Sequence, residues 1–403
     1  MDLPKPAPLF NALTSAVPLQ TGEVYAGPFG LIAFLPLIPV VLLLARRWPR
    51  AALVGASLAW LVPTLRPATT GVVLAGLAAA WAWLAGLGAL RRRGVLGERG
   101  MTALVWLGLH ALVLPLWWHA PQPWYPARLA VLHNVGLAYF LLRFVAWGVE
   151  LAKNPQQPAR FLDTVCWLLY PPCMRLGPIL LRDEFLRRLE TWDPRRAPAW
   201  KEGLKRFGMF VLGGAGIGVI APQIAPTYGD FFAQPENYST GALVGRFYLI
   251  PIQIYLLLWT YNQLANALAC WVGIHVDDNF HRLPLATSVR DFWHRWHITV
   301  GAWLRSYIYF PLGGGRRRAT LNIILVFAYC GLWHGPSWSF LAWGLAQAFA
   351  LIVQRGWDWL WRRDLAADSR VDGSGGRCPP YGSSGRVWTV FCWLLTVQYE
   401  IAT

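Results

Sequence analysis

Two histidines in the C-terminal half of the chain lie where an imidazole could act as a base. His297 ends a segment dense in arginine and tryptophan, and His334 ends a strongly apolar run that closes on G-L-W-H-G. A polar group buried without a partner is costly, and ionisable residues inside a bilayer usually mark function. Histidine has an unperturbed pKa of about 6.5 and exchanges protons near neutral pH. We therefore predict that His334 is a catalytic base.

The composition predicts an all-α, polytopic membrane protein. Of the 403 residues, 56% are hydrophobic and 14% are charged, whereas soluble proteins contain roughly 25% charged residues. Several windows hold about 17 to 25 mostly apolar residues, which is the length that a helix needs to cross a bilayer. We expect about ten or eleven transmembrane or re-entrant helices on this basis.

The charge pattern indicates membrane topology. Lys and Arg number 36 against 20 Asp and Glu, a net charge of +16, and the excess lies in short loops such as 46–50 and 91–99. Basic loops between apolar helices remain in the cytoplasm, so this charge does not predict nucleic-acid binding. The same rule puts His297 toward the cytoplasm and His334 toward the outer face.

Two apolar segments are not predicted to form single straight helices. Residues 161–181 contain Y-P-P-C-M-R-L-G-P, whose prolines predict a broken or re-entrant element. The run 241–274 is too long for one perpendicular helix, so it is either tilted or broken near Pro251. Its polar residues, Asn262 among them, either line a tunnel or bind neighbouring helices.

We divide the chain into N-terminal transmembrane helices (1–127), a catalytic core (128–354), a flexible cytoplasmic loop rich in Gly, Ser and Pro (355–386), and a last transmembrane helix (387–403). The run G-G-A-G-I-G (213–218) favours close helix packing over a dinucleotide loop, because no strand precedes it. The six cysteines form no C-x-x-C and are interpreted as small buried residues, and we expect no metal site.

The motifs around the two histidines resemble the membrane-bound O-acyltransferase family. Within it they are most similar to a bacterial branch that acts in alginate O-acetylation and teichoic acid D-alanylation. Residues 277–344 carry the most specific part of the resemblance. The similar runs are S-V-R-D-F-W-H-R-W-H-I-T (288–299), W-L-R-S-Y-I-Y-F-P-L-G-G (303–314), G-L-W-H-G-P-S-W-S-F-L-A-W-G (331–344), D-D-N-F-H-R-L-P-L-A (277–286) and L-G-P-I-L-L-R-D-E-F-L (176–186).

The resemblance implies a ring of helices around a thin central catalytic tunnel in a bacterial inner membrane. His334 matches the family's catalytic histidine, and His297 matches a second histidine of this branch. The implied donor is acyl-CoA, most simply acetyl-CoA, or an acyl carrier protein thioester, with no bound cofactor. The implied acceptor is a hydroxyl of a cell-envelope or exported polysaccharide. Membrane lipid, a cytoplasmic carrier protein and a periplasmic acyltransferase are the expected partners.

Residues near the two histidines are predicted to bind or position the donor. The charged surface around His297 either docks an acidic carrier or the phosphates of coenzyme A, or anchors the chain at the membrane interface. An indole near His334 could stabilise an oxyanion. The predicted residues are Arg290, Asp291, Arg295, Trp296, Arg305, Asn262 and Trp333.

Two departures from the branch pattern leave the donor and the acceptor open. The segment W-T-Y-N-Q-L-A-N (259–266) has no carboxylate, and His294 stands where arginine is usual. A non-catalytic relative of the family therefore remains an alternative. Another is a transporter or channel with a histidine proton relay, which predicts inverted repeats and buried charges in mid-span.

Overall fold

All regular elements in the described part of the chain are helical. The computed structural model describes residues 28–65, 67–117, 137–174, 176–196, 198–224, 239–335 and 338–372. A 3-10 helix, Pro28–Leu37, precedes α1 (Ile38–Ala45), α2 (Pro49–Leu65), α3 (Pro67–Arg92), α4 (Glu98–Trp117), α5 (Leu137–Lys153), α6 (Phe161–Leu168), α7 (Pro171–Met174), α8 (Arg182–Glu190), α9 (Trp200–Ile224) and α10 (Thr240–Val272). A 3-10 turn, Leu283–Leu285, is followed by α11 (Val289–Arg295), α12 (Ile298–Leu304), a π-helical turn (Arg305–Tyr309), α13 (Ala319–His334) and α14 (Trp338–Asp372). The all-α prediction is confirmed.

Two stretches within the described ranges are long and apolar enough to cross a membrane, judged by length and composition. They are Thr70–Arg92 and Trp200–Ile220. Shorter apolar helices cover Gly30–Ala45 and Ala319–His334. The predicted last span, 387–403, lies outside the described residues.

The chain divides into two compact units. The first comprises Met1–Pro226 with Gln253–Asp278, and the second comprises Thr227–Ile252 with Asn279–Thr403. Both histidines that the sequence singles out, His297 and His334, belong to the second unit.

In the first unit, the predicted break within residues 161–181 is confirmed, because α6 and α7 are separate short helices. Arg143 of α5 is fully buried beside them. Its guanidinium donates hydrogen bonds to the carbonyl oxygens of Leu168 at 3.2 Å and Cys173 at 3.5 Å, and to that of Trp167. These carbonyls lack helical partners where the helix stops, so Arg143 satisfies the groups that the break exposes.

Helices α9 and α10 contact closely in the first unit, as the glycine-rich run predicts. A Cβ atom on Gly213 would collide with the side chain of Thr260. Nearby, Arg206 binds both carboxylate oxygens of Asp278, at 2.6 and 2.9 Å, and Asn266 donates a hydrogen bond to the same carboxylate at 2.9 Å. Asp278, which follows α10, thus connects Arg206 of α9 with Asn266 of α10.

Two long helices, α10 and α14, cover segments for which the sequence made specific predictions. Helix α10 runs unbroken through Pro251, which selects the continuous alternative for this segment. Helix α14 continues to Asp372, so the prediction of a flexible loop was wrong for residues 355–372. That stretch contains no proline and one glycine, Gly356, and therefore nothing interrupts its helical hydrogen bonds. The Gly, Ser and Pro cluster follows it and lies outside the described residues.

In the second unit, α13 and α14 form the most extensive helix pair of the described chain. Glycines lie at their contact. A Cβ atom on Gly331 would collide with the carbonyl oxygen of Phe340, and one on Gly344 would collide with that of Phe327. The two backbones therefore touch, as small residues permit between apolar helices.

We expect Gly344→Ala to lower the thermal unfolding temperature of the protein in detergent. The added methyl group meets backbone atoms, which cannot move aside as a side chain can, and overpacking of this kind costs about 1–3 kcal/mol. Gly356→Ala is the matched control, because it lies on the same helix with nothing within 4 Å of the added atom. Alanine favours a helix over glycine, so this control keeps or raises the unfolding temperature. Equal unfolding temperatures for the two variants would contradict the proposed contact.

Candidate active site

A cavity of about 310 Å³ lies in the second unit. One wall is a stripe on α13. Its residues recur at intervals of three or four along the sequence, so they share one face of the helix. They are Ile323, Val326, Phe327, Cys330, Trp333 and His334.

The opposite wall comes from α11, α12 and the turn that follows them. Its residues again recur at intervals of three or four, although the backbone turns sharply between the two helices. They include Arg290, Trp293, His294, Trp296, His297, Val300, Gly301, Leu304, Arg305 and Tyr309. Leu351 of α14 also lines the cavity.

Aromatic rings enclose His334 at the C-terminal end of α13. The imidazole lies 4.5 Å from the ring of Trp333 and 5.4 Å from that of Trp343, measured between centroids, and it stacks on Phe340 at 6.4 Å. Gly335 follows without a side chain, and a Cβ atom there would collide with the Phe340 ring. The imidazole is partly exposed and lines the cavity.

His297 occupies the turn between α11 and α12. Its backbone is left-handed, with φ of 42°, and its ring packs against Phe280 at 5.0 Å and against Trp296 at 5.5 Å. The ring nitrogen Nδ1 is buried without a hydrogen-bond partner among the described residues. His297 is among the residues that line the cavity. The imidazoles of His297 and His334 are close enough to interact electrostatically.

The cavity has a basic rim. Arg290 pairs with Asp358 of α14 at 3.2 Å, whereas Arg305 has no carboxylate within ion-pair distance among the described residues. Partial burial lowers the pKa of His294, and the positive charge of Arg305 lowers it further. Both effects disfavour the charged imidazole of His294, so the arginines contribute most of the positive charge of the rim. None of the residues that line the cavity is Asp or Glu.

Most of the residues predicted from the sequence lie together. Six of them line this one cavity and therefore face a common space. They are His297, His334, Arg290, Trp296, Arg305 and Trp333.

Asp291 and Arg295 are not among the residues that line the cavity, and their role in donor binding stays a prediction. They are one helical turn apart on α11 and bind each other at 2.8 Å. Asp291 also accepts a hydrogen bond from the backbone nitrogen of Thr287 at 3.0 Å. Burial alone would raise the pKa of Asp291, but the hydrogen bonds from Arg295 and Thr287 outweigh burial and lower it. The pair stabilises the start of α11.

Asn262 belongs to the first unit and is not among the residues that line the cavity. It is buried on α10, where its Oδ1 accepts a hydrogen bond from Asn266 at 3.2 Å. This hydrogen bond lies within one helix, so both roles considered for the polar residues of this segment stay predictions.

Sequence reasoning did not single out the other residues that line the cavity. Trp293, His294, Tyr309 and Cys330 are the polar or aromatic ones that bring a ring nitrogen, a hydroxyl or a thiol. A usable signal was present for Cys330, which lies four residues before His334 on α13. That interval puts two side chains on one helix face.

Comparisons with known proteins agree with this site. Residues 101–371 match the family model of MBOAT, the membrane-bound O-acyltransferase family. The probable alginate O-acetylase AlgI of Azotobacter vinelandii is 28% identical over 233 residues, which cover 56% of this chain and 45% of that protein. The peptidoglycan O-acetyltransferase of Helicobacter pylori is 31% identical over 201 residues, covering 49% of this chain and 38% of that protein.

A teichoic acid D-alanyltransferase of Streptococcus thermophilus is 23% identical over 266 residues, which cover 61% of this chain and 62% of that protein. The chain spans about half the length of the curated relatives that it matches. The family model covers more than half of the chain and includes every residue that lines the cavity. The chain therefore belongs to the membrane-bound O-acyltransferase family and is a membrane protein.

Proposed function

We propose that this chain is an O-acyltransferase that moves an acyl group, most simply acetyl, from a cytosolic thioester to a hydroxyl of a cell-envelope or exported polysaccharide. One observation carries the proposal. The imidazoles of His297 and His334 line the same apolar cavity, whose rim bears the guanidinium groups of Arg290 and Arg305. A base, an accessible second imidazole and an anion-binding rim are the groups that acyl transfer from an acyl-CoA requires.

His334 is the general base of the proposed reaction. It takes the proton of the acceptor hydroxyl while the hydroxyl oxygen attacks the thioester carbonyl. The new C–O bond forms, the C–S bond breaks, and the departing thiolate takes the proton back from the imidazolium. The transfer is direct and needs no acyl-enzyme intermediate, although a partner protein can relay the acyl group beyond the cavity.

His297 and the arginines position the donor. Nε2 of His297, when protonated, can donate a hydrogen bond to the carbonyl oxygen on which negative charge develops. Arg305 and Arg290 bind the phosphates of coenzyme A or of a phosphopantetheine carrier, because a guanidinium forms strong charge-assisted hydrogen bonds with phosphate. The indoles of Trp296 and Trp333 complete the apolar wall around the acyl group.

The wider arrangement follows from the family and from the charge pattern. We infer a multi-pass protein of a bacterial inner membrane, with about ten or eleven membrane elements in a ring around the catalytic tunnel. The donor enters from the cytoplasm, and the acceptor or a periplasmic acyltransferase partner approaches from the other face. The relatives named for alginate, peptidoglycan and teichoic acid support a polymer of the cell envelope as the final acceptor.

We expect His334→Ala to abolish transfer. Removal of a general base typically lowers the rate about 100- to 10,000-fold. The measurement uses purified protein in nanodiscs with radiolabelled acetyl-CoA, longer acyl-CoAs and polysaccharide acceptors, and includes His297→Ala. His110→Ala is the matched control, since this histidine lies on α4 in the first unit, with Nδ1 2.7 Å from the carbonyl oxygen of Trp106.

Full activity of His334→Ala would refute the assignment of the base. The two alternatives predict different results from the same preparation. A non-catalytic relative binds donor but neither transfers nor hydrolyses it. A transporter or channel moves protons or solute across a sealed vesicle, and that movement depends on the histidines without any acyl-CoA.

We expect Arg305→Gln to raise the KM for acyl-CoA about tenfold or more while kcat changes little, because the lost charge contributes to ground-state and transition-state binding alike. Arg305→Lys keeps the charge and retains part of the affinity. Arg316→Gln, an exposed arginine outside the cavity, is the control. An unchanged KM in Arg305→Gln would place the donor phosphates elsewhere.

A further inference from the structure

The backbone that follows His297 is held by one buried side chain. Asn279 is fully buried, and its Oδ1 accepts hydrogen bonds from the backbone nitrogen of Thr299 at 3.1 Å and from the hydroxyl of Thr299 at 2.5 Å. The main-chain oxygen of Asn279 accepts a further hydrogen bond from the backbone nitrogen of Ile298 at 3.0 Å. Asn279 therefore fixes the two positions directly after His297.

The same short segment also holds the residues before and around the imidazole. The backbone nitrogen of His281 donates to the carbonyl oxygen of Arg295 at 3.0 Å. Between these two attachments, the ring of Phe280 packs against the ring of His297, with centroids 5.0 Å apart. Residues 279–281 thus restrain the chain on both sides of His297 and restrain its ring.

His297 needs such restraint because of its backbone conformation. Its φ of 42° lies in the left-handed region, which side chains with a Cβ atom seldom adopt. Without the hydrogen bonds to Ile298 and Thr299, the residue would relax to a negative φ and turn its ring away from its present direction. Asn279 itself does not line the cavity.

We propose that Asn279 and Thr299 form a positioning clamp that aims Nε2 of His297 into the cavity. The inference rests on the proposed acyltransferase function and deepens it, since the clamp acts on the reaction only through His297. Asn279 and Thr299 are positioning residues. They contact neither the acyl donor nor the acceptor.

The first test compares matched substitutions in the full chain. Asn279→Ala removes the acceptor oxygen, and we expect kcat to fall about 10- to 100-fold, the range that follows from a misplaced catalytic group. The KM for acyl-CoA stays within about twofold, because the arginine rim is unchanged. Asn279→Asp keeps an acceptor oxygen and restores most of kcat. Thr299→Val lowers kcat, whereas Thr299→Ser, which keeps the hydroxyl, does not.

A double-mutant cycle separates positioning from general loss of structure. In the His297→Ala background, Asn279→Ala should produce little further loss of kcat, because the group that it positions is already absent. If Asn279→Ala lowers kcat by the same factor in the wild-type and in the His297→Ala background, the proposed clamp is wrong.

Chemical labelling provides a readout that does not depend on activity. Diethyl pyrocarbonate modifies unprotonated imidazoles, and mass spectrometry reports the modification of each histidine peptide. Asn279→Ala should change the labelling rate of His297 by about threefold or more, since local restraint is lost, while His334 keeps its rate. Asn322→Ala is the control, because this buried amide binds the carbonyl oxygens of Gly314 and Arg317 instead.

The two proposals fail in different ways. Wild-type protein without transfer from any donor would overturn the proposed function, and the labelling rates would still decide on the clamp. Unchanged His297 labelling in Asn279→Ala would overturn the clamp even if the wild-type protein is an active acyltransferase.

Discussion

The direct contact between the backbones of α13 and α14 is the constraint on which the cavity depends. Gly331 and Gly344 permit an approach that any side chain would block, so the rotation of α13 about its axis is fixed. A fixed rotation decides which stripe of α13 faces the cavity, and His334 is the last residue of that stripe. Trp343, the neighbour of Gly344, packs on the imidazole of His334. One contact thus joins the helices and orients the candidate base.

Buried polar side chains occur where the helices of this protein stop. Arg143 binds the carbonyl groups at the break between α6 and α7, and Asn279 binds the first turn of α12. Asn322 binds the loop before α13. Each interruption exposes backbone groups that an apolar interior leaves unsatisfied, at a cost of several kcal/mol each in hydrocarbon. A buried Asn or Arg at these three breaks lowers that cost, and the chain can turn there inside the fold.

Features of the fold that depend on burial could be predicted from the sequence, because burial determines the composition and the periodicity of apolar residues. The all-α class, the broken segment with its prolines and the stripe that ends at His334 are of this kind. The partners of individual charges were less predictable. Asp291 and Arg295 closely precede His297 in the sequence, but α11 brings them to each other, and the backbone at His297 is left-handed. The composition does not reveal that a histidine has a positive φ. It also does not reveal a hydrogen bond to a residue as distant in the sequence as Asn279.

The charges around the cavity bear on the direction from which each substrate arrives. Arg290 is paired with Asp358, and among the described residues Arg305 is near no carboxylate. A half-buried guanidinium with no carboxylate near it in the described part of the chain has lost hydration, and an arriving phosphate would supply a partner. A neutral sugar hydroxyl offers no such compensation. Under the proposed function, this imbalance favours the phosphate-bearing donor at the arginine rim, and the acceptor is then expected at the aromatic end, where His334 lies.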